Sequence, residues 1–78
     1  MGVKVLLDSV DKIRDFVDIT KNSPYDIDLI SGKSTYLDAK SLLGVLSCDC
    51  RKPLVVDIHA EVEERKELIS KIQKYVVA

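Results

Sequence analysis

Two spacings of apolar residues divide this chain. Val3-Lys4-Val5-Leu6-Leu7 is rich in β-branched and aliphatic residues and predicts a first strand. Asp8 and Ser9 then offer N-cap oxygens, and Val10, Ile13, Phe16, Val17 and Thr20 recur at helical spacing, with Asp11, Lys12, Arg14, Asp15 and Asp18 on the other side. That helix is expected to stop near Lys21-Asn22, because Lys21 suits the negative end of the helix dipole and Pro24 blocks continuation.

The period then changes to two. Asp26-Ile27-Asp28-Leu29 and Thr35-Tyr36-Leu37-Asp38-Ala39 both alternate, which predicts two half-buried strands joined around Gly32-Lys33. A two-residue turn would set Leu29 against Tyr36. A three-residue loop sets Leu29 against Leu37 and Ile27 against Ala39, keeping one face apolar, so the odd loop is predicted. It leaves Asp28 opposite Asp38 on the outer face, a small electrostatic penalty.

Ser41 precedes the apolar run Leu42-Leu43-Gly44-Val45-Leu46 and reads as the N-cap of a short helix. Leu42, Val45 and Leu46 share a stripe with Leu43 beside it, more apolar surface than so short a helix normally buries. Cys48-Asp49-Cys50-Arg51-Lys52-Pro53 is a polar connection, expected at the surface. Leu54–Ala60 is the strongest strand pattern, with Val56, Ile58 and Ala60 facing in. A last helix is predicted from Glu61 to Val76, burying Leu68, Ile69, Ile72 and Val76, with glutamates in its first turns and Lys71 and Lys74 at its end. The order β-α-β-β-α-β-α predicts one α+β domain over residues 1–78, an antiparallel sheet with helices on one face.

Composition narrows the function classes. With 78 residues, a hydrophobic content of 46% and a charged content of 32%, the chain has the makings of a single small core, and disorder is not expected. The formal net charge is −1 and no face reads as basic, so nucleic acid is not an expected partner. No apolar run approaches the ~18 residues of a membrane span, and no signal-peptide cleavage pattern follows Lys4, so a cytoplasmic location is expected.

Catalytic and metal chemistry find little purchase. Gly32-Lys33-Ser34-Thr35 ends like a phosphate-binding loop, but Ile27 stands where that motif needs a glycine. Cys48 and Cys50 are too close for an unstrained disulfide and lack further metal ligands, so two reduced thiols are expected. His59 is the single histidine, and alternation puts it on the outer sheet face. No triad or carboxylate pair accompanies it, so no enzyme activity, cofactor or metal is expected.

The run Leu37-Asp38-Ala39-Lys40-Ser41-Leu42-Leu43-Gly44-Val45-Leu46-Ser47 resembles the regulatory-serine segment of HPr, the histidine-containing phosphocarrier family of the bacterial sugar phosphotransferase system. Val56-Asp57-Ile58-His59-Ala60 and the acidic helix after it add weaker similarity. The resemblance implies an open-faced β-sandwich with four strands in the order 1-4-2-3. It also implies a phosphocarrier histidine in a Gly-x-His-x-Arg pattern at the start of the first helix. Laying Phe16-Val17 on the family's apolar pair puts Ser9 at the histidine position and Asp11 at the arginine position. A phosphohistidine there would meet Asp8, Asp11 and Asp15 instead of an arginine.

The leading expectation is therefore a non-catalytic, protein-binding regulatory domain. Ser41 is its candidate phosphorylation site, and Lys40, Leu42, Leu43 and Leu46 are its partner-binding residues, the partner being a phosphotransferase-system or regulatory protein. The alternatives are a phosphocarrier with an unorthodox acceptor, Ser9 or His59, and a cysteine-based metal or redox module.

Overall fold

A computed structural model describes residues 2–49 and 51–77. The expectation for Cys50 lies outside the described residues. The elements run β1 (Val3–Val5), α1 (Val10–Lys21), β2 (Asp26–Ser31), β3 (Thr35–Asp38), α2 (Leu42–Leu46), β4 (Leu54–His59), α3 (Val62–Lys71), a 3-10 turn (Gln73–Tyr75) and β5 (Val76–Val77). The chain is a small α+β domain with an antiparallel sheet ordered β3-β2-β4-β1-β5. Among the described residues, five strands stand where four were expected. The order departs from 1-4-2-3 because β5 is added outside β1.

The sheet's alternation fixes its two faces. Val5, Ile27, Leu29, Leu54, Val56 and Ile58 are buried on one face, in a single cluster with Ile13, Phe16 and Val17 of α1, Val45 of α2 and Leu68 of α3. The hairpin has the odd loop: Leu29 pairs with Leu37, Asp28 with Asp38 and Ser31 with Thr35 across Gly32-Lys33-Ser34. Gly32 takes φ 66°, a conformation that favours glycine, which is why the loop can turn there. Tyr36 projects to the open face and is 63% exposed.

α1 begins and ends as expected. Ser9 Oγ accepts from the Lys12 N–H at 3.2 Å, and Asn22 closes the last turn. Thr20 is buried, its hydroxyl in hydrogen-bond reach of the Val17 and Ala39 carbonyls at 3.0 and 2.7 Å. That contact ties the end of α1 to the turn before α2.

The last helix is shorter than predicted. It opens on a capping box between Glu61 and Glu64 and stops at Lys71, with Ile72 as its C-cap. Helical spacing alone could not reveal this, because Ile72 and Val76 would share a helical face. Two tertiary contacts decide otherwise. Tyr75 turns into the core, edge-on to Phe16 with ring centroids 6.4 Å apart, and donates its hydroxyl to Asp15. The Leu6 N–H donates to the Tyr75 carbonyl at 2.9 Å, after which Val76 and Val77 pair with Val5 and Lys4. A helix continued to Val76 would leave that edge of β1 without partners. Val76 is accordingly a half-buried strand residue, and Ile69 is half-buried rather than fully covered.

Candidate functional site

The turn Asp38-Ala39-Lys40-Ser41 is built by its own side chains. Asp38 Oδ1 accepts from the Lys40 N–H at 2.9 Å, and the Asp38 carbonyl accepts from the Ser41 N–H at 3.0 Å. This is the aspartate turn chemistry that competes with strand pairing and ends β3. Ala39 is fully buried, and Lys40 reaches back to donate to the Ser23 carbonyl at 2.8 Å. Lys40 is thus a strut between the turn and the end of α1, in addition to being a charge beside Ser41.

Ser41 caps α2, its Oγ accepting from the Gly44 N–H at 3.1 Å. Gly44 leaves room for this bond, since a Cβ there would lie 3.2 Å from Ser41 Oγ. Only Val45 of the five helical residues is buried. The expected Leu42-Val45-Leu46 stripe is therefore split: Val45 is 0% exposed, Leu42 is 36%, Leu46 is 39% and Leu43 is 81%. Fewer than two turns present one side to the core, and the remaining leucines face outward.

The apolar surface does not end at α2. Leu46 lines a shallow hollow with Ser9 and Val10 at the start of α1, and with Cys48 and Arg51 from the following connection. Ser9 and the leucine helix, assigned separately from sequence, are therefore neighbours in space. Val10, Cys48 and Arg51 were missed as site residues, because nothing in their local pattern tells that these segments meet. Cys48 is half-buried against the core, its Sγ 3.0 Å from the Val45 carbonyl, and so is not the surface thiol expected.

The charges around Ser9 also differ from expectation. Asp8 is paired with Lys12 at 2.7 Å, and the Lys12 hydrogen bond and charge lower its pKa. Asp15 is turned toward the chain end, 2.8 Å from Lys74, and its pKa is lowered first by the Lys74 hydrogen bond and then by Tyr75. Asp11 is exposed in the first turn of α1. Arg51, held by Asp49 at 3.0 Å, is the cation that lines the hollow.

A second cluster lies on the open sheet face. His59 is exposed there, as alternation predicts, with Nε2 2.9 Å from Asp28 Oδ2 and 3.8 Å from Asp57 Oδ2. Its pKa is raised, first by the Asp28 hydrogen bond; desolvation opposes this, and the charges of Asp57, Asp28 and Asp26 add to the rise. Among the described residues, Asp28, Asp57 and His59 are the group whose donor atoms stand close enough to hold a metal ion. The Asp57-x-His59 spacing on one strand face was readable, but the arrival of Asp28 beside both depends on the β2–β4 register.

No helix among the described residues is long and apolar enough to cross a membrane. Compared with protein-family models, curated proteins and solved structures, the chain matches none.

Proposed function

We propose that this chain is a non-catalytic, cytoplasmic protein-binding domain of the HPr type, an open-faced sandwich extended by β5, in which α2 docks a regulatory partner. One observation carries the reading: Leu43 is 81% exposed beside two further partly exposed leucines, on a helix whose single buried residue is Val45. Apolar side chains gathered on one exposed helix face are more useful to a partner than to the isolated fold. Val10 and Leu46 extend the surface toward the start of α1. Ser41 sits at the margin of the patch, so a phosphate on it would place about two negative charges beside the leucines and gate docking.

The test uses the full chain with enzyme I and phosphoenolpyruvate, and separately with purified regulatory partners of the phosphotransferase system. The expected result is no stoichiometric phosphotransfer and measurable binding of a partner, abolished by Leu43→Glu and weakened by Ser41→Asp. Acid-labile phosphate on His59, or stable phosphate on Ser9 at one per chain, would instead establish the phosphocarrier alternative.

A further inference from the structure

The open face of the sheet carries a row of three aspartates. Asp28 pairs directly with Asp38 on one side and with Asp57 on the other. Like charges set opposite each other across strands repel, and this row does so twice. His59 lies two residues beyond Asp57 on the same strand face, opposite Asp26. Asp26, Asp28, Asp38 and His59 line one surface depression. The arrangement combines an imidazole nitrogen with carboxylate oxygens, a donor set that suits borderline transition-metal ions better than the oxygen-only sets of magnesium or calcium.

The separations agree with that chemistry. The contributed atoms of Asp28, Asp57 and His59 all lie within 4.8 Å of one another. Ligands bound tetrahedrally about 2.1 Å from zinc stand about 3.4 Å apart. The 2.9 and 3.8 Å distances from His59 Nε2 to the two carboxylates bracket that value. Small side-chain rotations would equalise them, while the two backbones that carry them are fixed by β2–β4 pairing.

We propose that Asp28, Asp57 and His59 form a binding site for one divalent transition-metal cation of the zinc class, with water completing the coordination. The cation would replace the Asp28–His59 hydrogen bond by bonds from His59 Nε2 and one oxygen of each aspartate, and any proton on the coordinating nitrogen would leave to solvent. Asp26 and Asp38 stay outside the ligand set and add negative potential around it. The site is on the open sheet face, independent of the α2 leucines.

The test is calorimetric titration of the metal-free full chain with zinc chloride at neutral to slightly alkaline pH, beside magnesium and calcium. One zinc per chain is expected, with neither hard cation matching it and a shift in the His59 ring proton resonances. His59→Gln and Asp57→Asn should each weaken binding about tenfold or more, whereas Cys48→Ser with Cys50→Ser should leave it intact. Asp57→Asn removes a repelling charge, so it should melt no lower than the parent without metal and lose the zinc-induced rise in melting temperature. Affinity should fall as pH drops and His59 takes up a proton. Absence of saturable zinc binding, binding that survives His59→Gln and Asp57→Asn, or loss of binding in the cysteine variant would each overturn the assignment.

Discussion

α1 and α2 are both capped by a serine whose hydroxyl accepts from a backbone N–H three residues on. Beyond that cap they differ. α1 has 12 residues and buries Ile13, Phe16, Val17 and Thr20, enough turns to lay a full stripe on the sheet. α2 has five residues, four of them large and apolar, and buries only Val45. The same local signal therefore starts two helices with different roles. Length sets how many side chains a helix can deliver to one side. In α1 the apolar residues serve mainly the core, and in α2 most of them are left over.

Substitutions in the two helices sharpen this contrast, and the largest effect belongs to α1. Phe16→Ala removes a fully buried ring and is expected to destabilise by about 3–5 kcal/mol, read by chemical denaturation; so large a fraction of a small domain's stability would leave part of the population unfolded. Val45→Ala is the equivalent change in α2 and should remove about 2 kcal/mol, the loss of two buried methyl groups plus a small cavity. The caps come next: Ser9→Ala and Ser41→Ala should each lower stability by about 1 kcal/mol, and equal losses would mean that capping is independent of helix length. Leu43→Glu should change stability by no more than about 0.5 kcal/mol while removing partner binding. Unfolding by Leu43→Glu would erase the distinction, since it would make α2 as much a core helix as α1.

A fifth expectation concerns pH and the open face. The folded-state pKa of His59 is raised above its ordinary value by Asp28 and its acidic neighbours. Its contribution to stability is therefore fully present below the unfolded pKa of about 6.5 and is lost as pH rises through the folded value. Metal-free parent protein should accordingly lose a small increment of melting temperature across that window relative to His59→Gln. An unchanged difference between the two would show that the Asp28 contact adds nothing in solution.

Much of the fold was legible because its signals are local and periodic. Alternation placed Ile27, Leu29, Val56 and Ile58 in the core and His59 outside it, and the hairpin register followed from keeping Leu37 on the side of Leu29. Ser9 and Ser41 were recognisable as caps because an acceptor before an apolar run satisfies otherwise orphaned N–H groups. What escaped were arrangements that depend on distant partners. Tyr75 leaves the helical path because Phe16, Asp15 and the Leu6 N–H hold it. Cys48, one residue past the C-cap of α2, is half-buried because it packs against the core cluster with its Sγ at the Val45 carbonyl. Lys40 spans to Ser23, and Arg51 comes to lie near Ser9, through packing that no window of sequence contains. The candidate patch was legible as an excess of leucines, but which leucine stands out farthest was settled by the direction in which Val45 points into the core.

The strand order also has a consequence for the sequence of events in folding. β1 lies between β4 and β5, so both of its neighbours come from the later part of the chain, with Val5 paired to Leu54 on one side and to Val76 on the other. The β2–β3 hairpin, by contrast, closes over a three-residue loop. Loop-closure entropy favours the hairpin early and delays pairings that must gather distant segments. During synthesis, β1 can acquire its outer partner only after residue 77 has left the ribosome. In refolding monitored by pulsed hydrogen exchange, the hairpin amides should gain protection before the Leu6 amide, which bonds to Tyr75. Simultaneous protection would mean that the sheet condenses as one unit.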